Sequence, residues 1–137
     1  MTDKYAASLS LLGRILLAFM FITAGFGKLT HLAGTAGYIA SGGLPAPMVL
    51  AVLVGLLELF GGLALVVGFQ VRWVGLALGL FTLAASVVFH AYWSAPEAQQ
   101  AVAKLLFMKN VSVAGGMFLI SALGAGPLSL DARRSAR

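Results

Sequence analysis

The chain has no cysteine, which excludes disulfides, thiolate nucleophiles, cysteine-ligated zinc and cysteine-ligated iron–sulfur clusters as its own chemistry. Charge is nearly as scarce: 9% of its 137 residues are Asp, Glu, Lys or Arg, against roughly 25% in soluble domains. There are only two histidines. His31 falls in a loop and His90 at the end of an apolar run, which gives no metal-ligand spacing, so no metal is expected. With 61% hydrophobic residues and a mean hydropathy of +1.00, a chain this short has too little interior to hide its apolar surface from water. It is read as an integral membrane protein with one domain, residues 1–137.

Four apolar stretches stand out, roughly 8–29, 47–69, 72–92 and 108–126. Each is close to the ~20 residues a helix needs to cross ~30 Å of hydrocarbon. Lipid admits only backbones that satisfy their own hydrogen bonds, and these lengths suit helices rather than barrel strands. The expected fold is therefore an all-α membrane protein, a bundle of four transmembrane helices. Thr30–Ala46 reads as a connection, with Gly42-Gly43 and Pro45-x-Pro47 as turn residues. Gly68–Arg72 reads as a tight turn. Ser94–Phe107 reads as a loop carrying a short amphipathic helix on the membrane surface. A secretory signal peptide competes for the first stretch, with Lys4 and Arg14 as its basic flank. No clean A-x-A site follows it, so it is read as a span.

Four spans place both termini on one side. Lys4, Arg72, Arg133, Arg134 and Arg137 gather there, against Lys28, Lys104 and Lys109 on the other side. The positive-inside rule then predicts cytoplasmic termini. Tyr38, Tyr92 and Trp93 fall at the outer interface and Trp73 at the inner one, as interfacial aromatics do. The net charge of +5 thus reads as topology and contact with lipid head groups rather than as a nucleic-acid surface.

Against this background Glu58 is anomalous. It sits midway along the otherwise uncharged run Met48–Phe69, where a carboxylate costs on the order of 3 kcal/mol without compensation. The other charge well inside a span is Arg14. With the two span centres aligned, Arg14 lies about 7 Å from the level of Glu58, within reach of its forked guanidinium. A buried Arg14–Glu58 pair is expected. Snorkelling by Arg14 and a protonated, unpaired Glu58 stand as the alternatives. Helical spacing places Arg14, Ala18, Phe21, Gly25 and Lys28 on one stripe and Gly55, Glu58 and Gly62 on another. It groups Gly75, Gly79, Thr82, Ser86 and His90 on a third, and Asn110, Ala114, Met117 and Ser121 on a fourth. Lys28, His90, Lys109 and Asn110 share a depth roughly 12 Å outward of the midplane. They are candidate ligand-binding residues: a basic mouth above Glu58, suited to an anionic or quinone-like head group.

Gly13-Arg14, Phe21-x3-Gly25-x2-Lys28, Glu58-x2-Gly61-Gly62-x5-Gly68, His90, Lys109-Asn110 and Gly115-Gly116 occur in an order that resembles the DoxX family of small bacterial membrane proteins. The resemblance covers about residues 8–126. It implies a four-helix bundle in the bacterial cytoplasmic (inner) membrane, with these polar residues as its shared core. For activity it implies a component of a quinone-linked or oxidative-stress oxidoreductase system, with no covalently bound cofactor, a quinone as the candidate ligand, and a soluble or membrane oxidoreductase partner. Two other readings stay open on the residues: a non-catalytic membrane anchor or assembly subunit, and a proton-coupled small-molecule transporter working as a homo-oligomer.

Overall fold

The structure, a computed structural model, describes residues 2–136. Met1 and Arg137, the latter counted in the charge asymmetry above, lie outside the described residues. Six α-helices follow one another: α1 (Thr2–Thr30), α2 (Leu32–Ser41), α3 (Pro47–Val67), α4 (Val71–Phe89), α5 (Glu97–Leu123) and α6 (Leu130–Ser135). A single 3-10 turn covers Tyr92–Ser94, and no strand occurs among the described residues. α1, α3, α4 and α5 are each long and apolar enough to cross a membrane.

Two of the expected connections turn out to be helix. The segment after Thr30 contains α2, whose Leu32, Ala36 and Ile39 recur at helical spacing and pack with Ala51 beneath them. The expected surface helix within 94–107 is instead the start of α5. No glycine or proline interrupts the chain from Glu97 to Ala114. An unbroken helical ladder satisfies every backbone group there, whereas a break at Phe107 would leave carbonyls unpaired. Pro96 and Glu97 form its natural start, the acidic side chain meeting the positive end of the helix dipole.

The spans pack as two antiparallel pairs, α1 with α3 and α4 with α5, and the contact between the pairs is thinner. Gly25 sets the register of the first pair. A Cβ there would lie 2.4 Å from the backbone nitrogen of Leu59 and 2.7 Å from the carbonyl oxygen of Gly55, so only glycine lets the backbones approach this closely. Farther along the same interface Gly62 faces Ala18 and Ile22. The core common to all four spans holds Ala18, Phe21, Leu65, Leu78 and Met117.

At one end the chain is tied together by polar contacts to helix termini. Arg14 is fully buried, and its Nη1 donates to the carbonyls of Leu65 (2.8 Å) and Val66 (3.2 Å), while Nη2 donates to Leu128. A cation on the last carbonyls of α3 also meets the negative end of that helix's dipole. Arg72 does the same for α5, its Nη1 donating to Ser121 (3.3 Å) and Ala122 (2.6 Å). Asp131 accepts from the backbone nitrogens of Gln70 (2.8 Å) and Val71 (2.9 Å) at the start of α4. It thereby steadies Gln70, whose φ of 50° is left-handed. Gly68 closes the turn at φ 72°, where a Cβ would also strike Ser129 and the Arg14 guanidinium. The start of α1, the α3–α4 turn, the end of α5 and α6 therefore gather at one end of the bundle.

Candidate functional site

At the opposite end from Arg14 the two helix pairs leave a cavity of about 460 Å³ between them. Its walls are largely apolar, with Phe21 from α1, Val54 from α3, and Phe81 and Phe89 from α4 among them. Five chemically active side chains line it: Lys28, Glu58, His90, Lys109 and Asn110. Four of these are the candidate mouth residues expected from depth, and the fifth is the anomalous carboxylate. They come from the end of α1, the middle of α3, the cap of α4 and the middle of α5. No two lie on the same helix except Lys109 and Asn110.

The expected partner of Glu58 is corrected by the geometry. Glu58 pairs with Lys28, Nζ to Oε2 at 2.6 Å, in the one ion pair among the described residues. Arg14 binds carbonyls instead. The reason is register. The glycine contacts bring Gly25 level with Gly55 and Leu59, and carry Arg14 down to Leu65 and Val66. Leu65 lies seven residues beyond Glu58, about 10 Å along the helix at 1.5 Å per residue. Aligning the span centres placed Arg14 too near. Close approach at the glycines decides the offset, and helix midpoints do not.

The pair is well suited to its setting. Glu58 is 6% exposed, and the Lys28 side chain reaches it from the more open side of the cavity at 31% exposure. A lysine near the end of a span can lower its aliphatic stem along apolar walls and keep its ammonium near water. Here the ammonium turns inward, because a charge in low dielectric is far more costly alone than paired. The site is thus an apolar chamber with a neutralised ion pair on one wall.

The remaining polar groups are differently placed. The side chains of Lys109 and Asn110 make no hydrogen bond to protein among the described residues, whereas Thr82 is satisfied by the Leu78 carbonyl at 2.7 Å. Among the described residues no group of three His, Cys, Asp or Glu could hold a metal ion. Sequence reasoning missed two contributors to the lining, Thr35 on α2 and Tyr38 as a cavity wall rather than an interfacial anchor. The Leu32, Ala36, Ile39 spacing was the signal that would have found both. It also missed Asp131, whose capping role connects residues 60 positions apart and leaves no local pattern.

The two assignments for Glu58 differ in how stabilities combine. In detergent micelles, Lys28→Met and Glu58→Leu are expected to couple by about 1–3 kcal/mol in a double-mutant cycle followed by thermal unfolding. The double variant should be less damaged than the two losses added together. Arg14→Leu and Glu58→Leu are expected to add within about 0.5 kcal/mol. A coupling to Arg14 as large as that to Lys28 would contradict the pairing.

The DoxX family model matches residues 9–91. The Escherichia coli (strain K12) inner membrane protein YqjF is 40% identical over 121 residues, covering 88% of each chain. Inner membrane protein YphA of the same organism is 35% identical over 125 residues, 91% of this chain and 89% of that protein. The ER-derived vesicles protein ERV29 of Saccharomyces cerevisiae is 25% identical over 132 residues, 96% of this chain but 36% of that protein's length. No solved structure matches. The matched stretch begins just before Arg14 and ends just after His90, so it carries Lys28, Glu58 and His90 within it. With four membrane-spanning helices and these relatives, this multi-pass protein of the bacterial inner membrane belongs to the DoxX family.

Proposed function

We propose that the protein binds an amphipathic, quinone-like ligand in the cavity between its helix pairs, as the membrane component of a quinone-linked or oxidative-stress oxidoreductase system. One observation carries this reading. Lys109 and Asn110 line a largely apolar chamber together with His90, have no hydrogen-bond partner among the described residues, and stand beside the Lys28–Glu58 ion pair. Convergent polar groups in an apolar pocket of about 460 Å³ are the usual composition of a small-molecule site.

The residues fit a quinone. Its carbonyl oxygens accept hydrogen bonds, and Lys109, the Asn110 amide and a His90 ring N–H can donate them. Its ring and tail are apolar, as are Phe21, Val54, Phe81 and Phe89. A bound quinone supplies reversible electron and proton uptake, which no side chain of this cysteine-free chain supplies. The protein's own share is to hold the head group, exclude water from the chamber, and hold or exchange a proton at His90 or at Glu58. Histidine is the side chain whose ordinary titration range suits that exchange near neutral pH. A partner oxidoreductase on the membrane or in solution would bring the electrons. The topology proposed with this site has the Arg14 end, with Lys4, Arg72, Arg133 and Arg134, in the cytoplasm.

Titration with a short-chain ubiquinone analogue, read by fluorescence in a Trp73→Phe background so that Trp93 reports alone, should saturate. His90→Ala and Asn110→Ala should each weaken binding about tenfold, the loss of one good hydrogen bond. A linear, unsaturable response that is the same in the parent and both variants would reject the proposal. For topology, alkaline phosphatase fused behind the C-terminus should be inactive in cells; an active fusion would reverse the assignment.

A further inference from the structure

A second cavity lies at the Arg14 end and plays no part in the proposed ligand site. It measures about 450 Å³ and is lined by Arg72, Trp73, Gly124, Asp131 and Arg134, with Gln70 and Ser129 behind them. We infer that this cavity is a built site for the phosphodiester head group of an anionic phospholipid.

The donors are arranged for it. Arg72 spends Nη1 on the last carbonyls of α5, which fixes the plane of its guanidinium. Its other edge, Nε and Nη2, faces Gly124 at 3.6 and 3.4 Å from the position a Cβ would take. These two nitrogens have no protein hydrogen-bond partner among the described residues. An N–H pair on one edge of an immobilised guanidinium is a bidentate match for two oxygens of a phosphate. Glycine at 124, with φ 88°, adds no side chain over that edge. Arg134 supplies a second cation to the same cavity, its guanidinium carbon 5.5 Å from the Phe69 ring centre. The carboxylate in the wall, Asp131, has both oxygens taken by the backbone nitrogens of Gln70 and Val71. It therefore serves the start of α4 rather than either arginine.

The surroundings favour a lipid over a free anion. Trp73 is 71% exposed and Leu123 79% exposed, both in the cavity lining. An exposed tryptophan at the end of a membrane span sits at head-group level, and an exposed leucine beside it offers an apolar surface to the first methylenes of an acyl chain. A head group held here would bridge α4 and α5 to α6, adding a lipid to the same lock that Arg14 and Asp131 close from within.

The test is native mass spectrometry of the full chain released from detergent carrying equal amounts of phosphatidylglycerol and phosphatidylcholine. The parent should retain phosphatidylglycerol several-fold over phosphatidylcholine. Arg134→Gln should reduce that retention about fivefold, the usual worth of one basic residue near an anionic surface. Arg72→Lys, which keeps the charge and loses the fork, should also reduce it. Because Arg72 caps α5, that variant is read only with its unfolding temperature, and Arg134→Gln, on the exposed side of α6, keeps the test independent of folding. Equal retention of the two lipids, or unchanged preference in Arg134→Gln, would overturn the inference. Displacement of phosphatidylglycerol by equimolar inorganic phosphate would overturn the lipid as the occupant.

Discussion

A carboxylate inside a bilayer has to be neutralised where it stands, because the surrounding hydrocarbon offers neither water nor dielectric screening. The 2.6 Å contact between Lys28 and Glu58 meets that demand, and much of the arrangement around the cavity follows from it. It requires α1 and α3 to run side by side in one register, which Gly25 permits by letting the backbones touch. It holds the end of α1 against the middle of α3, so the ion pair forms one wall of a cavity that Phe81 and Phe89 of α4 face from another. Unpaired, either charge would have to reach the interface or attract water into the bundle.

The two ends of the molecule solve different problems. The Arg14 end is closed by polar contacts to helix termini, with Arg14 on the last carbonyls of α3, Arg72 on those of α5 and Asp131 on the first nitrogens of α4. Each charge there complements a helix dipole as well as filling an empty hydrogen-bond position. The opposite end is left open between the helix pairs, where Lys109 and Asn110 line the cavity without a hydrogen bond to protein among the described residues. A bundle clamped at one end and hollow at the other holds the cavity's polar side chains in place without filling the room between them.

The spans were legible in the sequence because hydrocarbon imposes a length and a composition that soluble folds do not. That Lys28, His90, Lys109 and Asn110 lie near one another followed from position along the spans through the rise per residue, and they line one cavity. What did not follow was lateral partnership. Depth alone brought Arg14 within reach of Glu58, yet backbone contact at Gly25 and Gly62 slides the helices until Lys28 is the nearer cation. The break expected before residue 108 came from polarity at Glu97, Gln99 and Gln100, while hydrogen-bond continuity carries α5 straight through. α2 hid because small residues such as Ala33, Gly34 and Gly37 diluted its apolar spacing. The role of Asp131 depends on a contact across most of the chain, which no local pattern encodes.

The central claim is that the polar cluster around Lys28 and Glu58 receives a ligand from the membrane. Photolabelling with an azido-quinone, followed by peptide mapping, tests it most directly. Label should fall on the cavity walls, in residues 20–28, 81–90 and 107–111, and should be competed away by unlabelled quinone. Label confined to lipid-facing positions such as Leu119 and Leu123, or indifferent to competitor, would contradict the account.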